Sequence, residues 1–290
     1  MSESTYSDIT YEVTDRIATI TLNRPKARNG YTLTMSNELE HALKQADLDD
    51  EVRVVVLTGA GKDFCVGADL SGGSFDVNEE TDSSTPTHWQ EPAGRCSRTI
   101  HSMGTPVIAA MRGAAVGGGL TITLSCDFRL VGSDAKLGFV FTRRGIFPEG
   151  GSAWYLPRLV GMTRASDWMI TGRLFGADEA LASGLATSVH EPHEVLDAAM
   201  ALAADLRDNT AAVSVAVVRQ MLAHLSGGDT PFPTHEVDSE LIRNLPTNAD
   251  AIEGVRAFLE KRPPNFSNTV ATNMPTHLPW SGHEPAWMSD

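Results

Sequence analysis

The chain has 290 residues, 41% hydrophobic and 21% charged, which suffices for one large packed domain or two modest ones and excludes wholesale disorder. Asp plus Glu number 37 against 23 Lys plus Arg, a net charge of −14, which excludes a general binder of nucleic acid or anionic membrane but leaves room for a local basic patch. Cys65, Cys96 and Cys126 form no CxxC pair and no zinc spacing, which points to a reducing, cytoplasmic setting; the sequence predicts no membrane span, and Met1 to Asp8 lacks a signal-peptide core.

Two strands come first, Thr10 to Val13 and "IATITL" from Ile17 to Leu22. The loop "NRPKARNGYT" follows, and Thr34 or Ser36 is expected to cap a helix with Leu39, Leu43 and Ala46 on its apolar face. "VRVVVLTG", Val52 to Gly59, reads as a buried strand, so the order strand, helix, strand predicts a βαβ unit in a parallel sheet. Residues 71–94 are polar and aperiodic and read as a surface excursion. "TPVIAAMRG" resumes a strand, "VGGGLTITLSCD" turns from glycines into an apolar helix, and "FRLVGSD" and "AKLGFVF" read as strands. From Gly151 the pattern turns helical, with short helices broken by Gly161, Gly172, Gly176 and Gly184, then helices near 193–208, 210–226, 233–245 and 247–261. The expected organisation is a polar tail at 1–9, a core at 10–200, a helical region at 201–266 and a Pro/Asn/Thr-rich tail at 267–290.

Two glycine turns carry the chemical signal. "GAGKDFCVGADLSGG" and "RGAAVGGGL" each follow a strand, and glycine lets backbone N–H groups approach a ligand closely. Brought together, two such turns can aim two N–H donors at one oxygen, forming an oxyanion hole. Either run alone is more often a structural turn. Neither has the Gly-Lys-Ser/Thr ending of a P-loop or the GxGxxG of a dinucleotide site. The nine histidines show no HExxH, so no metal is expected.

Six ordered segments, "LNRPKARNGYT", "VVVLTGAGKDFCVGADL", "TPVIAAMRGAAVGGGLTITLSCDFRL", "AKLGFVFTRRGIFPEGGSAWYLPRLVG", "TGRLFGADEALASGLATSV" and "AFLEKRPPNF", resemble the crotonase superfamily, in the manner of its enoyl-CoA hydratase/isomerase family. The resemblance spans about 10 to 266, the excursion aside. It implies an α/β crotonase (ClpP-like) fold of stacked ββα units with a helical C-terminal trimerisation region. It also implies a trimer or dimer of trimers and an acyl-CoA thioester substrate, coenzyme A entering with the substrate and no separate cofactor.

By position, Ala68 and Gly118 match the family's oxyanion-hole donors, whose amides hold the thioester oxygen as enolate charge grows there. Hydratases of the family use two glutamates, and the matching positions here are Thr121 and Phe141, neither of them a base. Glu149 in "RRGIFPEGGS" matches the acid of several isomerase branches and the nucleophile of a dehalogenase branch. One carboxylate suffices to move a proton from C2 of a 3-enoyl thioester to C4. Phe141, Ile146, Phe147 and Trp154 are expected to raise its pKa by desolvation. The bland alternative is a first-turn glutamate capping its own helix. For the CoA moiety the resemblance points to Lys26, Ala27 and Arg28, to Gly67, Asp69 and Leu70, to Gly117, Thr121, Phe141 and Pro148, and to Phe258 and Lys261 on a helix that serves a neighbouring subunit. Arg24 and Lys62 flank the turns, while Arg143 and Arg144 are expected to pair with acids at the site mouth. Cys65 is expected to pack, and His88 and Trp89 to form an exposed pair or a lid. Isomerisation is the favoured reaction. Hydration, thioester hydrolysis, dehalogenation and a non-catalytic CoA binder stay open.

Overall fold

Residues 6–73 and 90–280 are described by the computed structural model. Strands β1 (Ile9–Thr14) and β2 (Ile17–Leu22) form an antiparallel hairpin with Thr14 opposite Ile17. Asp15 and Arg16, both at positive φ, make the two-residue turn whose twist suits paired strands. Helix α1 (Leu33–Leu48) crosses to β3 (Val54–Gly59), which lies parallel to β2. The cap of α1 is Thr32, whose hydroxyl accepts from the Met35 N–H at 2.9 Å, and neither Thr34 nor Ser36. The helix therefore starts two to four residues earlier than expected, and Ser36 is buried, donating to Pro92 O.

Helix α2 (Pro92–Ser102) follows, so the last residues assigned to the excursion are helical. His88 and Trp89 lie outside the described residues. Next come β4 (Val107–Met111), β5 (Ala114–Val116), the single turn α3 (Gly118–Thr121), β6 (Phe128–Gly132) and β7 (Lys136–Gly138). Helix α4 (Ser152–Thr171) bends at Gly161, whose φ of 77° is non-helical. Strand pairing does not end at Gly151: β8 (Leu174–Phe175), α5 (Ala177–Ala182) and β9 (Ser188–His190) follow. Then come α6 (Val195–Asn209), α7 (Ala212–Leu225), α8 (Phe232–Arg243), α9 (Ala249–Glu260) and α10 (Val270–Asn273).

The main sheet has the order β1-β2-β3-β4-β6-β9, parallel beyond the first pair; β5, β7 and β8 form a second, mixed sheet. Every residue of β3 is buried because helices cover both faces. Val55 and Leu57 meet the core shared with Leu39 and Leu43 of α1, while Val54 and Val56 meet Ala199 and Ala203 of α6. The buried Arg129 of β6 donates to the carbonyls of Leu185, Thr123 and Cys126, which fixes the chain just after α3. On α7, Arg219 pairs with Asp127 and donates to the Ile100 and Met103 carbonyls at the end of α2. Trp280 of the tail stacks on His224 and donates to Gln220, so this part of the tail packs on its own α7. Trp287 lies outside the described residues. None of the described helices is long and apolar enough to cross a membrane.

Candidate active site

The parallel order brings the two glycine turns side by side. Gly67 (φ 90°) and Gly117 (φ 53°) both hold conformations that L side chains rarely adopt. A Cβ at Gly67 would lie 2.9 Å from Val116 O, and one at Gly117 would lie 3.8 Å from the Gly67 Cα. Each glycine precedes one of the two predicted donors. At the first turn, Tyr31 N–H donates to Gly67 O and Asp69 N–H donates to Tyr31 O, so the Ala68 N–H faces away from Tyr31. At the second, Gly117 N–H donates to Gly138 O, and Gly118 opens α3 with its N–H outside the helical ladder. Neither the Ala68 nor the Gly118 amide has a backbone acceptor among the described residues.

Both turns border a cavity of about 1390 Å³ whose wall includes Tyr31, Ala93, Phe141, Ile146, Glu91 and Glu149. Glu149 reaches it from a bent segment between β7 and α4, where Gly145, Gly150 and Gly151 are all left-handed. A Cβ at Gly150 would lie 2.9 Å from Thr121 Oγ, so the missing side chain is what lets the Glu149 segment close on α3. The Glu149 Oε1 accepts from Thr121 Oγ at 2.6 Å, while its Oε2 is sealed from solvent, and the Glu91 carboxyl lies close enough to interact with the Glu149 carboxyl. A Cβ at Gly118 would sit 3.8 Å from Glu149 Oε1, so donor turn and carboxyl face each other across a few ångströms.

The capping alternative for Glu149 fails on geometry. Helix α4 is capped at Gly151, and Glu149 supplies only its backbone carbonyl, to Ser152 N and Oγ. Burial, followed by repulsion from Glu91, pushes the Glu149 carboxyl up to about 8. The cause of that burial differs from expectation. Phe141 is buried and Ile146 packs on the core, but Phe147 is 87% exposed and Trp154 packs outward against His101, Tyr155 and Arg158. The group that sequence reasoning missed is Glu91, at the N-cap of α2. Its readable signal was acid followed by Pro92, an N-cap and first-turn pair inside a polar run.

Arg28, Gly67, Asp69, Leu70, Gly117 and Phe141 lie on the cavity wall. Thr121 is fully buried behind it, and its hydroxyl donates to Glu149. Lys26, Ala27 and Pro148 are exposed beside the wall and do not line it. Phe258, 82% exposed on α9, and Lys261 at its C-cap stand away from the cavity of their own chain. Arg28 is held by Asp63 at 2.7 Å, and Asp63 also accepts from the Ala114 N–H, which ties the two turns together. Asp69 is brought down to about 2 by the Ser71 backbone and hydroxyl and by Arg24, which it pairs at 2.8 Å; both charges are thereby committed locally. Arg143 and Arg144 line the cavity without an acidic partner among the described residues; Arg143 donates instead to Thr171 O. Lys62 is exposed and off the wall. Burial lifts the Cys65 thiol to about 12, which suits packing and not nucleophilic attack. No cluster of metal-ligating side chains occurs among the described residues.

A family model described as enoyl-CoA hydratase/isomerase matches residues 12–269. The chain belongs to the enoyl-CoA hydratase/isomerase family. It is 36% identical over 257 residues to the enoyl-CoA hydratase AKT3-2 of Alternaria alternata, covering 88% of this chain and 84% of that protein. It is 37% identical over 264 residues to a protein of Rhodobacter capsulatus named "Probable enoyl-CoA hydratase", covering 90% and 98%. Among solved structures, the enoyl-CoA hydratase of Bacillus anthracis superposes with a TM-score of 0.79 at 32% identity, over 90% of this chain and 99% of that one. The architecture is thus the crotonase fold that the six segments implied.

Proposed function

We propose that this family member forms the enolate of an enoyl-CoA thioester and uses Glu149 to move a proton along the acyl chain, converting a 3-enoyl to a 2-enoyl thioester. The observation that carries the reading is the placement of Glu149: half-buried on the cavity wall, with Oε1 held by Thr121 and facing the Gly118 turn and Oε2 sealed from solvent. The amides of Ala68 and Gly118 receive the thioester oxygen. Negative charge on that oxygen rises as C2 loses its proton, so donors fixed in advance lower the barrier; one such donor is worth roughly 3–4 kcal/mol. Ionised Glu149 takes the C2 proton and returns it to C4, while the Thr121 hydroxyl orients the carboxyl. Arg143 and Arg144, which have no acidic partner among the described residues, give the cavity a positive mouth within an acidic chain, which suits the phosphates of CoA.

The exposed Phe232, Ile242, Val255 and Phe258 on α8 and α9 support self-association as a trimer or dimer of trimers, and the three unpaired cysteines support a cytoplasmic setting. The reading is tested by incubating wild type and Glu149→Gln with a 3-enoyl-CoA. A conjugated product of unchanged mass from wild type only is expected; absence of that product, or its undiminished formation by the variant, contradicts the reading.

A further inference from the structure

Glu91 carries an observation that isomerisation leaves unused. It is the N-cap residue of α2, yet its carboxyl does not cap that helix. It turns toward the cavity instead, where Oε1 accepts from the Gly150 N–H at 2.7 Å, one residue from Glu149. Space for this pose comes from Gly94, where a Cβ would lie 2.2 Å from Glu91 Oε1. Two carboxyls from distant segments thus meet on one cavity wall, and they interact through space. The expected hydratase positions hold Thr121 and Phe141, so a second carboxyl is absent from the α3 turn and from the segment after β7, and present at the N-cap of α2.

We propose that Glu91 is the second acid/base carboxyl of this site, and that with Glu149 it adds water across the double bond of a 2-enoyl thioester. The proposal rests on the reading that the acyl group lies between the two amides and Glu149. Water gives its proton to the Glu91 carboxylate while its oxygen bonds to C3. The C2–C3 π pair moves into the enolate held by the amides, and C2 then takes the proton of Glu149. Glu91 next passes its new proton to Glu149 across the contact between the two carboxyls, which restores the starting state with one water consumed. Burial, followed by the neighbouring Glu91, favours the protonated form of Glu149. The other titratable groups that feel Glu149 are Tyr31 and Cys65, both buried and themselves raised by burial, so they hold their protons and add no charge.

The test uses the full chain with three 2-enoyl thioesters as probes: but-2-enoyl-CoA, dec-2-enoyl-CoA and cinnamoyl-CoA, with products read by mass. Wild type is expected to add one water to at least one probe. Glu91→Gln, which keeps an acceptor for Gly150 N–H, should lower hydration by about 100-fold or more. The pH limb of its isomerisation should move to lower pH, because a repelling neighbour of Glu149 is gone. Glu91→Asp should fall between the two, and Gly94→Ala, which displaces the carboxyl without removing it, should lose hydration as Glu91→Gln does. Wild type that hydrates no probe, Glu91→Gln that hydrates like wild type, or an unmoved limb overturns the proposal. Failure of the isomerisation reading looks different: wild type that hydrates a probe but conjugates no 3-enoyl-CoA.

Discussion

Thr121 donates a 2.6 Å hydrogen bond to Glu149 Oε1 from a position where a two-glutamate hydratase would carry an acid. A hydroxyl there cannot act as a base, but it can stabilise the charged form of a carboxylate that burial otherwise disfavours. The same hydroxyl lies 3.2 Å from Gly118 O. When Glu149 is ionised the hydroxyl donates to it; when Glu149 is protonated the hydroxyl can accept its proton and turn its own toward Gly118 O. The donor turn and the carboxyl are thereby joined through one side chain.

Replacing Thr121 by Val should therefore raise the Glu149 pKa. The limb of the pH–rate profile is expected to move upward, with activity at neutral pH reduced about tenfold for each unit of movement. A profile superimposable on wild type would show that the hydroxyl does not act on Glu149.

Glu149 also has a thermodynamic signature. Its carboxyl is raised from 4.5 to about 8, so between those pH values the folded chain holds a proton that the unfolded chain has released. Stability contributed by this group is then complete below about 4.5 and is lost as pH rises toward 8, with a limiting slope of about 1.4 kcal/mol per pH unit. Glu149→Gln cannot ionise, so its melting temperature should match wild type near pH 4.5 and exceed it increasingly up to pH 8. A difference constant across that range contradicts the burial argument. The cost of keeping this carboxyl inside is one that function would explain and packing would not.

Gly67→Ala and Gly117→Ala test the donor turns without touching Glu149. At Gly67 a methyl group meets Val116 O at 2.9 Å, and both positions are left-handed or beyond for L residues. Each variant should tilt an amide away from the thioester oxygen and lower kcat by about 100-fold, with KM changed much less. Loss confined to KM would mean that the turns bind substrate without stabilising the enolate.

Arg129 tests the scaffold. Its guanidinium serves three buried carbonyls, so Arg129→Met strands acceptors that no solvent reaches. The expected loss is roughly 3 kcal/mol or more by denaturant unfolding. A loss below about 1 kcal/mol would indicate that water replaces the side chain.

Much of this arrangement could be read from the sequence, for identifiable reasons. Strands β1 to β3 and helix α1 announce themselves because β1, β2 and α1 carry a period and β3 is a largely β-branched run, each over six residues or more. Gly67, Gly117 and Glu149 were legible through ordered motifs. Strands β8 and β9, at two and three residues, are too short to carry a period, and they exist because β7 and β6 offer unpaired edges. Helix α2 begins Pro-Ala-Gly and buries Ser97 and Thr99 beside Cys96 and Ile100, so its polar composition hid it within the excursion. Glu91 was hidden with it. Nothing local links residue 91 to residue 149; only the packing of α2 across the α3 turn brings the two carboxyls together.

The most direct test of the central claim is the pH–rate profile for conjugation of a 3-enoyl-CoA by the wild-type chain. If buried Glu149 is the proton carrier in its ionised form, activity should rise with pH through a limb near 8 and that limb should vanish with the activity in Glu149→Gln. A limb near 4.5, the value of an ordinary exposed glutamate, would contradict the account.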